Sequence, residues 1–120
     1  MRISIEVPDT KIANALCSAF ASGGIAYWAH IESRSGSDRR PVWREPLQPT
    51  GWVRLALTPA AEERGIPRPL MLNRRSIAVG LRLMVEHTPK QLAAILNGDS
   101  DMNTGDVLVQ FAVFGKLAYG

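Results

Sequence analysis

The stretch "GGIAYWAHIE", residues 23–32, decides how the fold is read. A glycine pair stands at its head, where a helix can end on a glycine that tolerates positive φ. From Ile25 onward the residues read as a strand over about 25–32. Ile25, Tyr27, Ala29 and Ile31 fall on one face, and Ala26, Trp28, His30 and Glu32 on the other. One of only three tryptophans therefore lies on the face opposite the main apolar alternation. Either another part of the chain or a second subunit covers Trp28, or it is held out for a partner. Exposure for a partner is the reading taken from the sequence.

Upstream, "RISIEV" alternates Ile3, Ile5 and Val7 against Arg2, Ser4 and Glu6, the period-two mark of a half-buried strand. Pro8 breaks it and Asp9 reads as a helix N-cap. Ile12, Ala15, Leu16, Ala19 and Phe20 then form one helical face, closed by Gly23 and Gly24. Downstream, residues 33–50 are rich in Ser, Gly, Pro and Arg and read as a long, flexible, basic loop. "GWVRLALT" is a strand with Val53, Leu55 and Leu57 inward and Trp52, Arg54 and Ala56 outward.

Leu70 to Leu72 read as a short edge strand. Asn73 caps a helix over about 74–87, and Thr88-Pro89 caps a shorter one ending at Leu96. The last helix, 104–118, is apolar nearly all round, so it is central or is buried by another subunit. The order β-α-β-β-(β)-α-α-α gives an α+β fold within one domain, 1–120. A small antiparallel sheet of three or four strands is packed on one face by about four helices. Two such apolar helices leave more surface than one small sheet can hide, so a homodimer is expected.

Composition narrows the function classes. The chain has 120 residues and 46% hydrophobic content, ordinary for one globular domain. Its apolar runs fall far short of the ~20 residues a membrane span needs, and the N-terminus turns polar too early for a signal peptide. Cys17 is the only cysteine, so no internal disulfide forms; it reads as a buried, inert thiol, and cytoplasm is the default compartment. The net charge of +3 is unevenly spread: residues 33–82 hold ten Arg and no Lys against four acids. Arginine's planar fork suits phosphate and carboxylate, although Arg over Lys is also what a GC-rich genome produces.

Enzyme and metal templates find no match. Two histidines and one cysteine give no zinc set, and "GDSDMNTGD" lacks the glycine and closing Glu spacing of an EF-hand. No cofactor is expected. The outer face of the sheet remains: Trp28, His30, Trp52 and Arg54, with Arg39, Arg40, Trp43 and Arg44 beside them on the loop. Aromatics next to guanidinium groups make a platform on which bases stack, at roughly 1–3 kcal/mol per base. These eight residues are the candidate binding site.

Two segments carry a resemblance. "LCSAFASGGIAYWAHIE" and "AAILNGDSDMNTGDVLVQFAVFGKLAYG" resemble a pattern in small phage-encoded proteins. The carrying residues are Gly23, Gly24, Tyr27, Trp28, Asp101, Thr104, Asp106, Gln110, Phe114, Gly115, Tyr119 and Gly120. The resemblance implies a virus or prophage origin and brings no reaction with it. Small phage proteins of this kind frequently bind host machinery, bacterial defence complexes included. The expectation is a non-enzymatic protein in the host bacterial cytoplasm that binds and inhibits a host protein or nucleoprotein complex, as an anti-CRISPR or other counter-defence inhibitor. The alternative is a protein that sequesters a nucleotide or signalling molecule on the Trp/Arg face.

Overall fold

The structure, a computed structural model, describes residues 6–36, 39–62 and 70–120. The expected strand at residues 2–7 lies almost wholly outside them. In chain order the elements are α1 (Asp9–Phe20), β1 (Ala29–Arg34), a 3₁₀ helix (Val42–Leu47), β2 (Val53–Leu57), α2 (Pro59–Glu62), β3 (Leu70–Leu72), α3 (Arg74–His87), α4 (Pro89–Asn97) and α5 (Met102–Phe114). The fold is α+β, with a three-stranded antiparallel sheet in the order β1-β2-β3.

Helix α1 buries Ile12, Ala15, Leu16 and Ala19, the face its periodicity predicts. Its start differs from expectation. Pro8 occupies the cap position and no side chain caps the helix, because the Asp9 carboxylate is engaged by Arg74. Helix α3 begins as its sequence suggests: Asn73 accepts from the Ser76 N–H while the Ser76 hydroxyl accepts from the Asn73 N–H, a reciprocal capping pair. Pro89 opens α4, but the buried Thr88 hydroxyl has no partner and does not cap.

Helix α5 starts two residues before the expected Thr104, because Asp101 is its cap. The Thr104 N–H and hydroxyl reach Asp101 Oδ1 at 2.8 and 2.9 Å and hold that carboxyl below the usual carboxylate range. The helix ends at Phe114 rather than 118, because Gly115 turns left-handed (φ 74°) and sends the tail back along the helix.

Residues 104–111 of α5 are buried without a break, so this helix is the centre of the molecule. Its two sides are covered from within the chain, by α1 and by α3. Small residues let the backbones approach: Gly105 lies against Ala15 and Ala19 of α1, and Gly80 of α3 lies against Leu108 and Ala112. A second subunit is therefore not needed to cover α5, although α3 still exposes Val85.

A Cβ at residue 105 would sit 2.5 Å from the Ala15 carbonyl oxygen and 2.6 Å from the Ala19 nitrogen. Ala in place of Gly favours a helix by about 1 kcal/mol, but the neighbours here are backbone and cannot rotate away. Gly105→Ala is expected to destabilise by about 3 kcal/mol, the upper part of the overpacking range. An unchanged urea midpoint would show that the α1–α5 contact is looser than described.

The sheet's inner face carries Ala29, Val53, Leu55, Leu70 and Leu72, all buried. The strand expected over 25–32 begins only at Ala29. Before it the backbone makes a turn, with Trp28 N–H to the Ile25 carbonyl at 3.0 Å and Ala29 N–H to the same oxygen at 2.9 Å. Spacing of three and four then replaces spacing of two. Ile25, Trp28 and Ala29 face inward together, and Ala26 and Tyr27 stay exposed.

Candidate functional site

The expected platform divides into three places. Trp28 is 0% exposed and belongs to the core, which corrects the expectation that it is held out for a partner. Its ring lies parallel to Tyr119 at 5.6 Å and tilted on Phe114 at 5.1 Å. Its Nε1 donates to Asp106 Oδ1 at 2.7 Å. On α5, Asp106 and Gln110 stand four residues apart and form the polar stripe of an otherwise apolar helix. Asp106 Oδ1 also accepts from Gln110 Nε2 at 2.9 Å, and Oδ2 accepts from the Tyr27 hydroxyl.

Gln110 reaches onward to the tail. Its Oε1 accepts from the N–H groups of Ala118 and Tyr119, and its Nε2 donates to the Tyr119 carbonyl. Burial, then the hydrogen bond and charge of Asp106, push the Tyr27 phenol above its ordinary pKa. With Phe114, these residues include several of those that carry the phage resemblance. Here they form a closed, internally satisfied network whose evident work is to fasten the 25–28 turn and the C-terminal tail to α5. The sequence signal for it is the Asp106/Gln110 spacing in an apolar helix.

His30 and Arg54 remain on the outer face of the sheet, and Trp52 lies half-buried just before β2. His30 pairs in register with Ala56, and Arg54 sits between Ser33 and Met71. β1 is mostly exposed and carries an irregularity between Ile31 and Ser33, which sets Glu32 outside the pairing.

The third place is the segment expected as a flexible loop. Its described part is instead built around Glu45, an unlooked-for carboxylate that is 2% exposed on the 3₁₀ helix. Arg34 Nη2 lies 2.8 Å from Glu45 Oε1, Arg40 Nη1 lies 3.0 Å from the same oxygen, and the Ser35 hydroxyl donates to Oε2 at 3.2 Å. Ser35 and Trp52 exchange further bonds, including Trp52 N–H to Ser35 Oγ at 2.7 Å. A Cβ on Gly36 would lie 2.2 Å from Glu45 Oε1, and one on Gly51 only 1.8 Å from the Glu45 carbonyl oxygen.

Burial alone would raise the Glu45 pKa. The bonds from Arg34, Arg40 and Ser35 outweigh it and hold the carboxyl below its ordinary value. Two of the ten arginines in the basic stretch thus share one internal carboxylate, and Arg74 is paired with Asp9. Arg39 and Arg44 stay exposed on the pinned segment. Trp43 is half-buried, and with Arg44 it faces α1 across a cleft rather than joining His30 and Arg54.

The chain matches no protein-family model, no curated protein and no solved structure. Among the described residues, no three of His, Cys, Asp or Glu gather closely enough to hold a metal ion. No helix there is long and apolar enough to cross a membrane. What the arrangement offers chemically is a set of fixed guanidinium and indole groups.

Proposed function

We propose that the chain acts by binding rather than by catalysis. It is a phage or prophage protein that inhibits a host component in the bacterial cytoplasm, a counter-defence inhibitor with anti-CRISPR activity among the forms this would take. Its partner is a host protein or nucleoprotein complex with an acidic or phosphate-bearing surface. The observation that carries this reading is the Glu45 centre, which pins the segment bearing Arg39, Trp43 and Arg44. A segment already ordered loses little conformational freedom on association, so its charges count for more toward affinity.

Arg39→Glu combined with Arg44→Glu is expected to abolish capture of the partner from host lysate, and Arg44→Glu alone to weaken it with the urea midpoint essentially unchanged. Capture by the parent protein is expected to weaken steeply as salt rises. Arg40 is unsuitable for this test, since Arg40→Glu would set a second carboxylate against Glu45 and disrupt the segment itself. Capture that ignores both the double reversal and salt would overturn the electrostatic reading.

A further inference from the structure

A cleft of about 580 Å³ opens between α1, the 3₁₀ helix and the first residue of α3. That volume lies within the roughly 300–1,000 Å³ of small-molecule sites. Its lining combines three kinds of group. Ala13, Leu47 and Pro49 are apolar, and Trp43 adds a half-buried indole. Arg44 and Arg74 supply two guanidinium groups against one carboxylate, Asp9. Asn14 and Gln48 supply side-chain amides.

The charges are available. Among the described residues the Arg44 guanidinium has no ion-pair or hydrogen-bond partner, although the Arg44 carbonyl accepts from Gln48 Nε2. Arg74 is paired with Asp9, but both side chains are about half exposed, and exposed pairs of this kind hold weakly. A dianionic phosphate competes well for such a guanidinium. Asn14 Nδ2 donates to the Gly98 carbonyl and Gln48 Nε2 to the Arg44 carbonyl. Their amide oxygens have no donor among the described residues and can accept from an exocyclic amine.

We infer that this cleft is a binding site for a small planar anion of the nucleoside-phosphate class. The ring stacks on Trp43 and the phosphate is held by Arg44 and Arg74. An apolar wall alone would suit any hydrophobic group. The indole beside two guanidinium groups and two amide acceptors selects a ligand that is at once aromatic, anionic and amine-bearing. The site shares Trp43 and Arg44 with the macromolecular surface proposed above, but its binding of a small molecule does not require that surface to meet a host partner.

Cys17, half-buried rather than buried as its sequence context suggested, lines the same cleft and is the chain's only cysteine, so its alkylation rate reports occupancy without an added label. The full chain is titrated with AMP, GMP, CMP and UMP, and with the matching nucleosides, by calorimetry and by Cys17 alkylation. At least one nucleotide is expected to saturate in the sub-millimolar range and to slow alkylation, with its nucleoside binding about tenfold more weakly or worse. Arg44→Ala is expected to remove that difference between nucleotide and nucleoside. Trp43→Leu is expected to weaken both by about tenfold.

Should Trp43→Leu lose folded structure, Arg44→Ala, an exposed position, carries the test alone. No protection of Cys17 by any of the four nucleotides at millimolar concentration overturns the inference. Nucleotide binding that Arg44→Ala leaves unchanged overturns it as well. Both readouts use purified protein and small molecules, so their failure is distinct from a failure of lysate capture.

Discussion

Trp28→Ala is expected to destabilise the protein by about 3–5 kcal/mol, the range for truncating a large aromatic in a packed core. Trp28 has no exposed surface, and it meets two other rings, Phe114 and Tyr119. Its removal also takes a donor from the buried Asp106, leaving that carboxylate one hydrogen bond short. Trp28→Phe separates these contributions, since it keeps much of the ring packing but drops the Nε1–H; about 1–3 kcal/mol of loss is expected from it. Denaturant melts of the two variants give both numbers. A loss below about 1 kcal/mol for Trp28→Ala would mean that the side chain is not in the core.

The second large effect belongs to Glu45. Glu45→Ala leaves the Arg34 and Arg40 guanidinium groups facing each other without their shared carboxylate, and it frees Ser35 and the Gly36 turn that closes over it. Removing one partner of a fully buried pair costs about 3–5 kcal/mol. Arg40 is 43% exposed and can turn to water, so about 2–4 kcal/mol is expected here.

The pH dependence follows from the direction of the shift. The folded-state pKa of Glu45 lies below its unfolded value. Its contribution is therefore fully present above the unfolded carboxylate pKa, and it is lost as pH falls through the folded one. Stability of the parent should drop on acidification more steeply than that of Glu45→Ala. Amide protection factors at Ser35 and Trp52 should fall over the same interval, because those groups bond each other beside the carboxylate. Parallel acid curves for the two proteins would remove Glu45 from this role.

Where local chemistry was decisive, the sequence was legible. The α3 start rests on Asn73 and Ser76 three residues apart, and the alternation in "VRLAL" puts Val53 and Leu55 inside. The all-round apolar pattern of α5 marked a helix either central or covered by another subunit, and the fold makes it central. The candidate site was read less well. Trp52 precedes β2, and His30 and Arg54 do share the outer face, as their parity required. Trp28 does not, because "IAYW" fits a strand and a turn equally well: changing the bond pattern from cross-strand to i→i+3 swaps the face it occupies. Glu45 gave no signal beyond being a lone acid between Trp43 and Pro46 in a basic stretch.

By itself, then, the sequence determined the elements whose ends and faces depend on residues within a few positions of one another. These include the buried face of α1, the start of α3, the Pro89 opening of α4, the inward face of β2 and the β-rich then helix-rich order that makes the fold α+β. Only the tertiary structure decided which polar groups went inside. A buried carboxylate is tolerable only where donors from distant parts of the chain converge on it. Asp106 finds them 78 and 79 positions away, in Trp28 and Tyr27; Glu45 finds Arg34, Ser35 and Arg40 across a fold in the backbone. The cover of α5 was settled in the same way. Whether its second side meets another chain or α1 and α3 depends on how closely Gly105 and Gly80 let those helices approach, a distance that no local spacing encodes.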